Sequence, residues 1–169
     1  MTTLLCSTAF REAMSLLSAA VNVITTDGPH GRYGMTASAV CSVTDTPPTL
    51  LICVNQKSLT HQALISNGKA CVNVLPADHE ELARRFAGMG GVNLHDRFSG
   101  QTWQEGPGGQ PMLEDALASL EGVVRERREV GSHSVIFLEV HAVRQRSDGD
   151  ALTYFGRSFH RLERTARSA

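Results

Sequence analysis

The sequence predicts a mainly β protein, a β-barrel carrying peripheral α-helices. Short apolar or alternating runs recur along the chain between turn signals, and only three segments have the spacing of helices. Those helices do not alternate regularly with the strands, which disfavours a parallel doubly wound sheet. At 169 residues the chain is expected to form one domain, residues 1–169 with a core over about 10–160, long enough for a substantial interior and short for two.

Phe10, Ala13, Met14 and Leu17 recur at helical spacing and predict an amphipathic helix over about 10–20 that lays one face on the body. Asn22 to Thr26 reads as a strand. Asp27-Gly28-Pro29-His30-Gly31 is turn chemistry leading into a second strand, Gly34 to Thr44, so the two form a hairpin. Pro47-Pro48 closes that strand and the run Thr49 to Val54 follows. Ser58 is placed to cap a short helix to about Asn67, where Gly68 supplies a left-handed stop. Ala70 to Leu75 returns as a strand. Asp78 with Glu81 is a capping-box pattern, opening a helix whose Leu82, Ala83 and Phe86 face inward. Its carboxylates Glu80 and Glu81 suit the helix dipole better than catalysis.

The glycine-rich stretch from Ala87 to Gly109, with Phe98 and Trp103 as its aromatics, predicts a long irregular excursion. Leu117 to Val130 fits both periods, and a strand is chosen. Val135 to Val143 is a strand, Ser147-Asp148-Gly149-Asp150 a turn, and Ala151 to Phe155 its partner.

Composition narrows the function. Sixteen basic and seventeen acidic residues give a net charge of −1, with no basic run among aromatics, so nucleic acid is not an expected partner. The longest wholly apolar run, Leu50 to Val54, is far below the ~20 residues that cross a bilayer, and no membrane association is expected. The first nine residues lack the basic start and apolar centre of a secretory signal, which makes the cytoplasm the default location. Cys6, Cys41, Cys53 and Cys71 include no Cys-x-x-Cys pair, and the last three read as buried small apolar residues. No metal site or disulfide is expected. The phosphate-loop, nucleophile-elbow and His-Glu-x-x-His signatures are missing. Gly88-Met89-Gly90-Gly91 has part of a dinucleotide turn but follows a helix and not a strand.

Gly34 to Thr44 is an uncharged stretch of small and hydroxyl residues. Small side chains at Thr36, Ala37, Ser38 and Ala39 leave main-chain N–H and C=O groups approachable, and those groups need partners. A flat ring with donors and acceptors along one edge, such as an isoalloxazine, would supply them; an ordinary buried strand is the alternative. Asn55-Gln56-Lys57-Ser58-Leu59-Thr60 lies between a strand and a helix start, where free N–H groups and the helix dipole favour an anion, or where Ser58 only caps its helix. Arg84 and Arg85 suit either a helix C-terminus or a cofactor phosphate. His133, in the turn Gly131-Ser132-His133-Ser134, is the one histidine expected to reach a cleft; His30, His61, His79, His95 and His141 have surface or strand readings. Tyr154-Phe155-Gly156-Arg157 closes the last strand with an aromatic and a cation, and core packing accounts for Phe155 and Phe159.

Phe10-Arg11-Glu12-Ala13-Met14, Val21 to Thr26, Gly34 to Val43, Pro47-Pro48, Cys71 to Leu75, Arg85-Phe86-Ala87-Gly88, Gly131-Ser132-His133 and Tyr154-Phe155 with His160 resemble the flavin reductases of two-component monooxygenases. The likeness runs from about Phe10 to His160. Phe86 to Met89, Trp103-Gln104 and Ala118 to Gly122 bring it closest to the reductase component of 4-hydroxyphenylacetate 3-monooxygenase, and the flavin reductase of pyrimidine degradation shares much of it. The resemblance implies a split β-barrel, a homodimer, and reduction of free FAD or FMN by NADH, with NADPH possible, for an FADH2-dependent oxygenase reached by diffusing reduced flavin. It implies that Thr36, Ala37, Ser38, Ala39, Val40, Ser42 and Val43 line the isoalloxazine and that Lys57, Ser58 and Arg85 lie near the flavin phosphates. It also puts His133, Tyr154, Phe155, Gly156 and Arg157 on the nicotinamide side, although Gly156-Arg157-Ser158-Phe159 departs from the family's commoner basic-aromatic ending. Hydride transfer is the cofactors' own chemistry, so no acid–base pair or metal is required of the side chains. A flavin-binding carrier or sensor without turnover is the alternative from another class.

Overall fold

The computed structural model describes residues 6–165. Helix α1, Ser7–Ser15, leads into β1, Ala19–Ala20, and β2, Asn22–Thr26. Strands β3, Tyr33–Ala37, β4, Val40–Asp45, and β5, Pro48–Asn55, follow, then α2, Leu59–Asn67, β6, Lys69–Val74, and α3, Glu80–Phe86. The second half holds β7, Trp103–Glu105, β8, Pro111–Leu113, β9, Ala118–Val130, β10, His133–Gln145, β11, Ala151–Phe155, and β12, Ser158–Leu162. Seven strands form one sheet in the order β3-β2-β6-β9-β10-β5-β4, and β1-β11-β12 form a smaller one. The fold is mainly β with peripheral helices, as the sequence predicts.

The uncharged stretch expected as one strand is two. Up to Ala37 it pairs with β2, Ala37 opposite Asn22, and from Val40 it pairs with β5, Val40 opposite Ile52. Ser38 and Ala39 carry the chain between strands that stand at opposite edges of the seven-stranded sheet. The backbone N–H of Cys53 on β5 donates to Ala39 O at 3.0 Å, so the crossing is tied to the far edge. Both halves have one composition, and the corner between them therefore leaves no break in the pattern. Small side chains let two strand edges approach there.

Two apolar clusters fill the interior. Ile24, Leu50, Ile52, Val54, Leu64, Val72, Ile136 and Leu138 pack α2 onto the large sheet, and Val21, Val23, Leu75, Leu82, Phe86, Leu113 and Leu152 join α3 to the small one. The fully buried Asn73 lies among them. Its amide nitrogen donates to Val23 O, to Thr25 Oγ1 and, at 3.4 Å, to Pro111 O, and its Oδ1 accepts from Leu113 N and Ser119 Oγ.

Helix α2 is built as its sequence predicts: Ser58 Oγ accepts from Thr60 N at 3.2 Å, and Gly68 ends the helix at φ 69°. Helix α3 buries Leu82, Ala83 and Phe86, but the capping box does not form. Asp78 pairs instead with Arg161 of β12, and a 3-10 turn over Ala77–His79 precedes the helix. Helix α1 ends five residues before the predicted Ala20 and buries none of its residues; Phe10, Met14 and Leu17 are 46–66 % exposed, so the expected packing of its apolar face is not seen among the described residues, although Gly156 N donates to Ser15 O at 2.7 Å. The excursion after α3 is less irregular than expected, because Trp103–Glu105 pairs with Pro111–Leu113. Strand β11 pairs with β1 and β12, not with β10 as expected, because Leu152 bonds to the backbone of Val21 and Leu75 and turns the hairpin onto the second cluster. Cys71 is buried but Cys41 is exposed, since β4 is an edge strand.

Gly34 fixes how α3 meets β3. A Cβ at this position would stand 2.5 Å from Phe86 Cε1 and 3.2 Å from Ile24 O. Gly34→Ala is expected to cost about 1–3 kcal/mol of unfolding free energy, read as a lower urea midpoint with an unchanged slope. An unchanged midpoint would show that Phe86 yields without cost.

Candidate functional site

The crossing at Ser38–Ala39 gathers most of the residues the sequence singles out. One strand earlier, Asn22, almost fully buried, donates through Nδ2 to Ala37 O and Ala20 O, both at 3.1 Å. Ala20 and Ala19 pair with Thr153 and Tyr154, which draws the β11–β12 hairpin toward the crossing. On the other side Ala39 is bonded to Cys53, two residues from Asn55, whose partner across the ladder is His133. Thr36 Oγ1 donates to Ala83 O at 2.6 Å, and Gly34 O accepts from Thr60 Oγ1 at 3.1 Å, so β3 is held between α3 and the first turn of α2. Lys57, Ser58 and Arg85 sit at the ends of those two helices.

Ser38 and Ala39 are exposed. The carbonyl of Ser38 accepts from Val40 N and that of Ala39 from Cys53 N, while among the described residues neither the Ser38 nor the Ala39 N–H has a protein acceptor. The corner is therefore a donor surface: two adjacent amides and the Ser38 hydroxyl, on exposed residues, have no protein partner among the described residues. Such a surface suits an acceptor-rich ring edge, above all one that gains negative charge.

Val40 and Ser42 lead away from that corner along β4. Together with Val72, Leu120 and Val140 they line an apolar cleft of about 340 Å³ at the open side of the large sheet. Val43 is exposed on β4. Ser58 Oγ is engaged in capping α2, and the Lys57 side chain is exposed. Arg85 donates to Ser99 O. His133 is the first residue of β10 and not a turn residue; its Nδ1 lies 2.9 Å from Ser132 Oγ, and its carbonyl accepts from Gln56 Nε2. The hairpin turn Gly156-Arg157 has φ 57° and 65°, so Arg157 holds a left-handed conformation at an exposed tip. Tyr154 stacks edge-on with Phe159 at 5.1 Å, whereas Phe155, expected to be packed, is 42 % exposed.

A second cleft, about 450 Å³, lies elsewhere, between Asp27, Arg32, Lys69, Glu105 and Gln110. Its polar groups satisfy one another: Arg32 pairs with Asp27 at 2.7 Å and Gln110 makes two bonds to the Asp27 backbone. It offers few free donors. Among the described residues no group of three or more His, Cys, Asp or Glu is arranged to hold a metal ion.

Residues 14–163 match the flavin reductase like domain. The chain belongs to that family. It is an oxidoreductase of the flavin reductase kind. It is 53 % identical over 161 residues, 95 % of each chain, to the 4-hydroxyphenylacetate 3-monooxygenase reductase component of Pseudomonas aeruginosa. It is 49 % identical to an FMN reductase (NADH), RutF, of Pseudomonas syringae pv. syringae, covering 91 % of this chain and 85 % of that one. A Streptomyces globisporus NADH:FAD oxidoreductase, solved in complex with NAD and FAD fragments, superposes with a TM-score of 0.83 at 30 % identity, over 96 % of this chain and 94 % of that one. These flavin reductases share the split-barrel architecture.

Sequence reasoning missed Asn22, Thr60 and Arg97 as residues that brace the corner. Nothing in their local pattern marks them, because each acts on a carbonyl from a different part of the chain. His61, for which the sequence predicts a surface or strand place, is instead buried in α2, with Nε2 2.9 Å from the Oγ of Ser134, the residue after His133. Burial lowers its pKa, with Arg127 adding in the same direction and Glu129 opposing. A histidine held neutral in the fold but free to charge when unfolded removes stability as pH falls below about 6.5, the unfolded value. The unfolding midpoint is expected to drop between pH 7 and 5, above the range where Asp148 and Asp150 titrate, and to drop less in His61→Gln. Parallel profiles for the two proteins would contradict this.

Proposed function

We propose that this chain works as one flavin reductase domain that uses NADH to reduce free FAD or FMN and releases it to a hydroxylase of aromatic rings, 4-hydroxyphenylacetate 3-monooxygenase in the first instance. The observation that carries the reading is the exposed donor corner at Ser38–Ala39, set among His133, the β11–β12 hairpin and the cationic ends of α2 and α3. The flavin supplies a ring that accepts a hydride, and its acceptor edge needs the donors that Ser38 and Ala39 leave unused. Thr36, Ala37, Val40, Ser42 and Val43 form the rest of the ring's bed. Lys57, Ser58 and Arg85 face the phosphates, and His133 with Tyr154, Phe155, Gly156 and Arg157 borders the nicotinamide.

In this reading the residues orient and stabilise, and no side chain acts as acid or base. Fixed amide dipoles stabilise charge on the ring without reorganising, and a donor lost from such a site costs on the order of 10²-fold in rate. Cations near the phosphates set affinity, which stays moderate because the corner is open to solvent and the product must leave. Two copies of the chain form the working unit, supported by the exposed apolar face of α1, and a nicotinamide reductant places the enzyme in the cytoplasm.

Purified protein with NADH and added FAD is expected to consume NADH well above a flavin-free blank, and FMN is expected to serve as well; NADH loss equal to the blank with both flavins would end the proposal. Ser38→Trp is expected to abolish flavin binding, read by fluorescence titration, while the circular dichroism spectrum is kept. A variant that binds flavin as the parent does would move the site elsewhere. Retained flavin with indifference to NADH would favour a carrier or sensor.

A further inference from the structure

Strand β12 is the outer strand of the small sheet, and α3 with the turn before it grips that strand. Arg84, held by Glu80 at 2.7 Å one helical turn earlier, places its guanidinium carbon 5.0 Å from the centre of the Phe159 ring. Arg161 forks two carboxylates from different segments, Asp150 before β11 at 2.7 Å and Asp78 before α3. Asp150 also accepts from Arg164 N at 3.0 Å, and its carbonyl accepts from Ala77 N at 2.9 Å, which closes the base of the hairpin onto the link between β6 and α3. At the tip, Gly156 N donates to Ser15 O at 2.7 Å, on a helix that buries none of its own residues. Helix α3 also meets β3, through Thr36 Oγ1 on Ala83 O at 2.6 Å and through Phe86 packed on Gly34.

One short helix thus touches both elements that the proposed function assigns to the two cofactors. Asp78 commits its carboxylate to Arg161, eighty-three residues on, and α3 starts without a side-chain cap. Exposed ion pairs add little to global stability, whereas a displacement of about 1 Å at reacting atoms costs on the order of 10²-fold in rate. The contribution of these contacts is therefore geometric. On the reading that β3 lies under the flavin and the β11–β12 hairpin beside the nicotinamide, we propose that α3 is the spacer between the two rings, with Arg161 and Arg84 as positioning residues that hold the hairpin at hydride-transfer distance from the flavin bed. Both act through β12 and not on a cofactor: Arg161 fixes the base of the hairpin, and Arg84 fixes its flank at Phe159.

The test is single-turnover reduction of protein-bound FMN by NADH, followed as loss of flavin absorbance, beside FMN titration and urea unfolding of the same proteins. At saturating NADH the hydride-transfer rate of Arg161→Ala is expected to fall roughly tenfold, with Arg161→Lys between, while FMN affinity and the unfolding midpoint stay at the parent's values. Adding Asp78→Asn to Arg161→Ala is expected to slow the step no further, since both remove one contact. Phe159→Leu, which removes the ring beneath Arg84, is expected to slow the same step, and it decides the matter if Arg161→Ala does not fold. A parent-like rate at saturating NADH in Arg161→Ala, or in Phe159→Leu where that variant alone folds, would overturn the spacer. A loss of rate that only tracks weaker FMN binding, or losses that multiply in the double variant, would also overturn it. A parent protein that leaves bound FMN oxidised under NADH overturns the flavin reductase reading itself, and the spacer with it.

Discussion

A sheet whose first and last strands are consecutive in the chain must pass from one edge to the other in a very short step, and here that step is Ser38–Ala39. Exposed strand edges carry unpaired N–H and C=O groups that invite unwanted pairing. The molecule resolves most of them locally: Cys53 N bonds Ala39 O, Asn22 holds Ala37 O, Thr36 reaches Ala83 O, and Thr60 and Arg97 converge on Gly34 O. Every one of these contacts satisfies a carbonyl or places a neighbouring strand. The two amide N–H groups at the corner are among those left without a protein acceptor in the described residues.

That imbalance is cheap to maintain. A hydrogen bond of the bracing kind contributes about 1 kcal/mol net, and leaving a buried partner unmatched costs about 1–3 kcal/mol, so the buried carbonyls are the groups that must be paired. The Ser38 and Ala39 amides belong to exposed residues, where water can satisfy them. The corner thus keeps its donors ready without straining the fold, and around it the chain arranges helix ends that carry Lys57, Ser58 and Arg85. The proposed hydride exchange would use this kind of fixed polar frame.

Much of this was legible in the residues. The strand at Asn22–Thr26, the cap and stop at Ser58 and Gly68, and the inward Leu82, Ala83 and Phe86 all reflect local rules, and the structure follows them. The small, uncharged run from Gly34 marks approachable backbone, and within it Ser38 and Ala39 are exposed. What stayed hidden depends on distant partners. The break at Ser38 exists because β4 belongs to β5 and not to β2, and the place of β11 follows from Leu152 reaching Val21 and Leu75. The Asp78 capping box lost to Arg161, eighty-three residues away in the chain. Helix α1 shows its period plainly, yet periodicity cannot say what covers the apolar face.

The most direct measurement of the central claim is amide chemical shift in 15N-labelled protein titrated with oxidised FMN. Ser38 and Ala39 are expected to show the largest downfield proton shifts in the molecule, as free amides exchange water for the acceptor edge of the ring, with Val72 in the barrel interior almost unmoved. Shifts that leave Ser38 and Ala39 in place and cluster instead around Asp27 and Gln110 would contradict it.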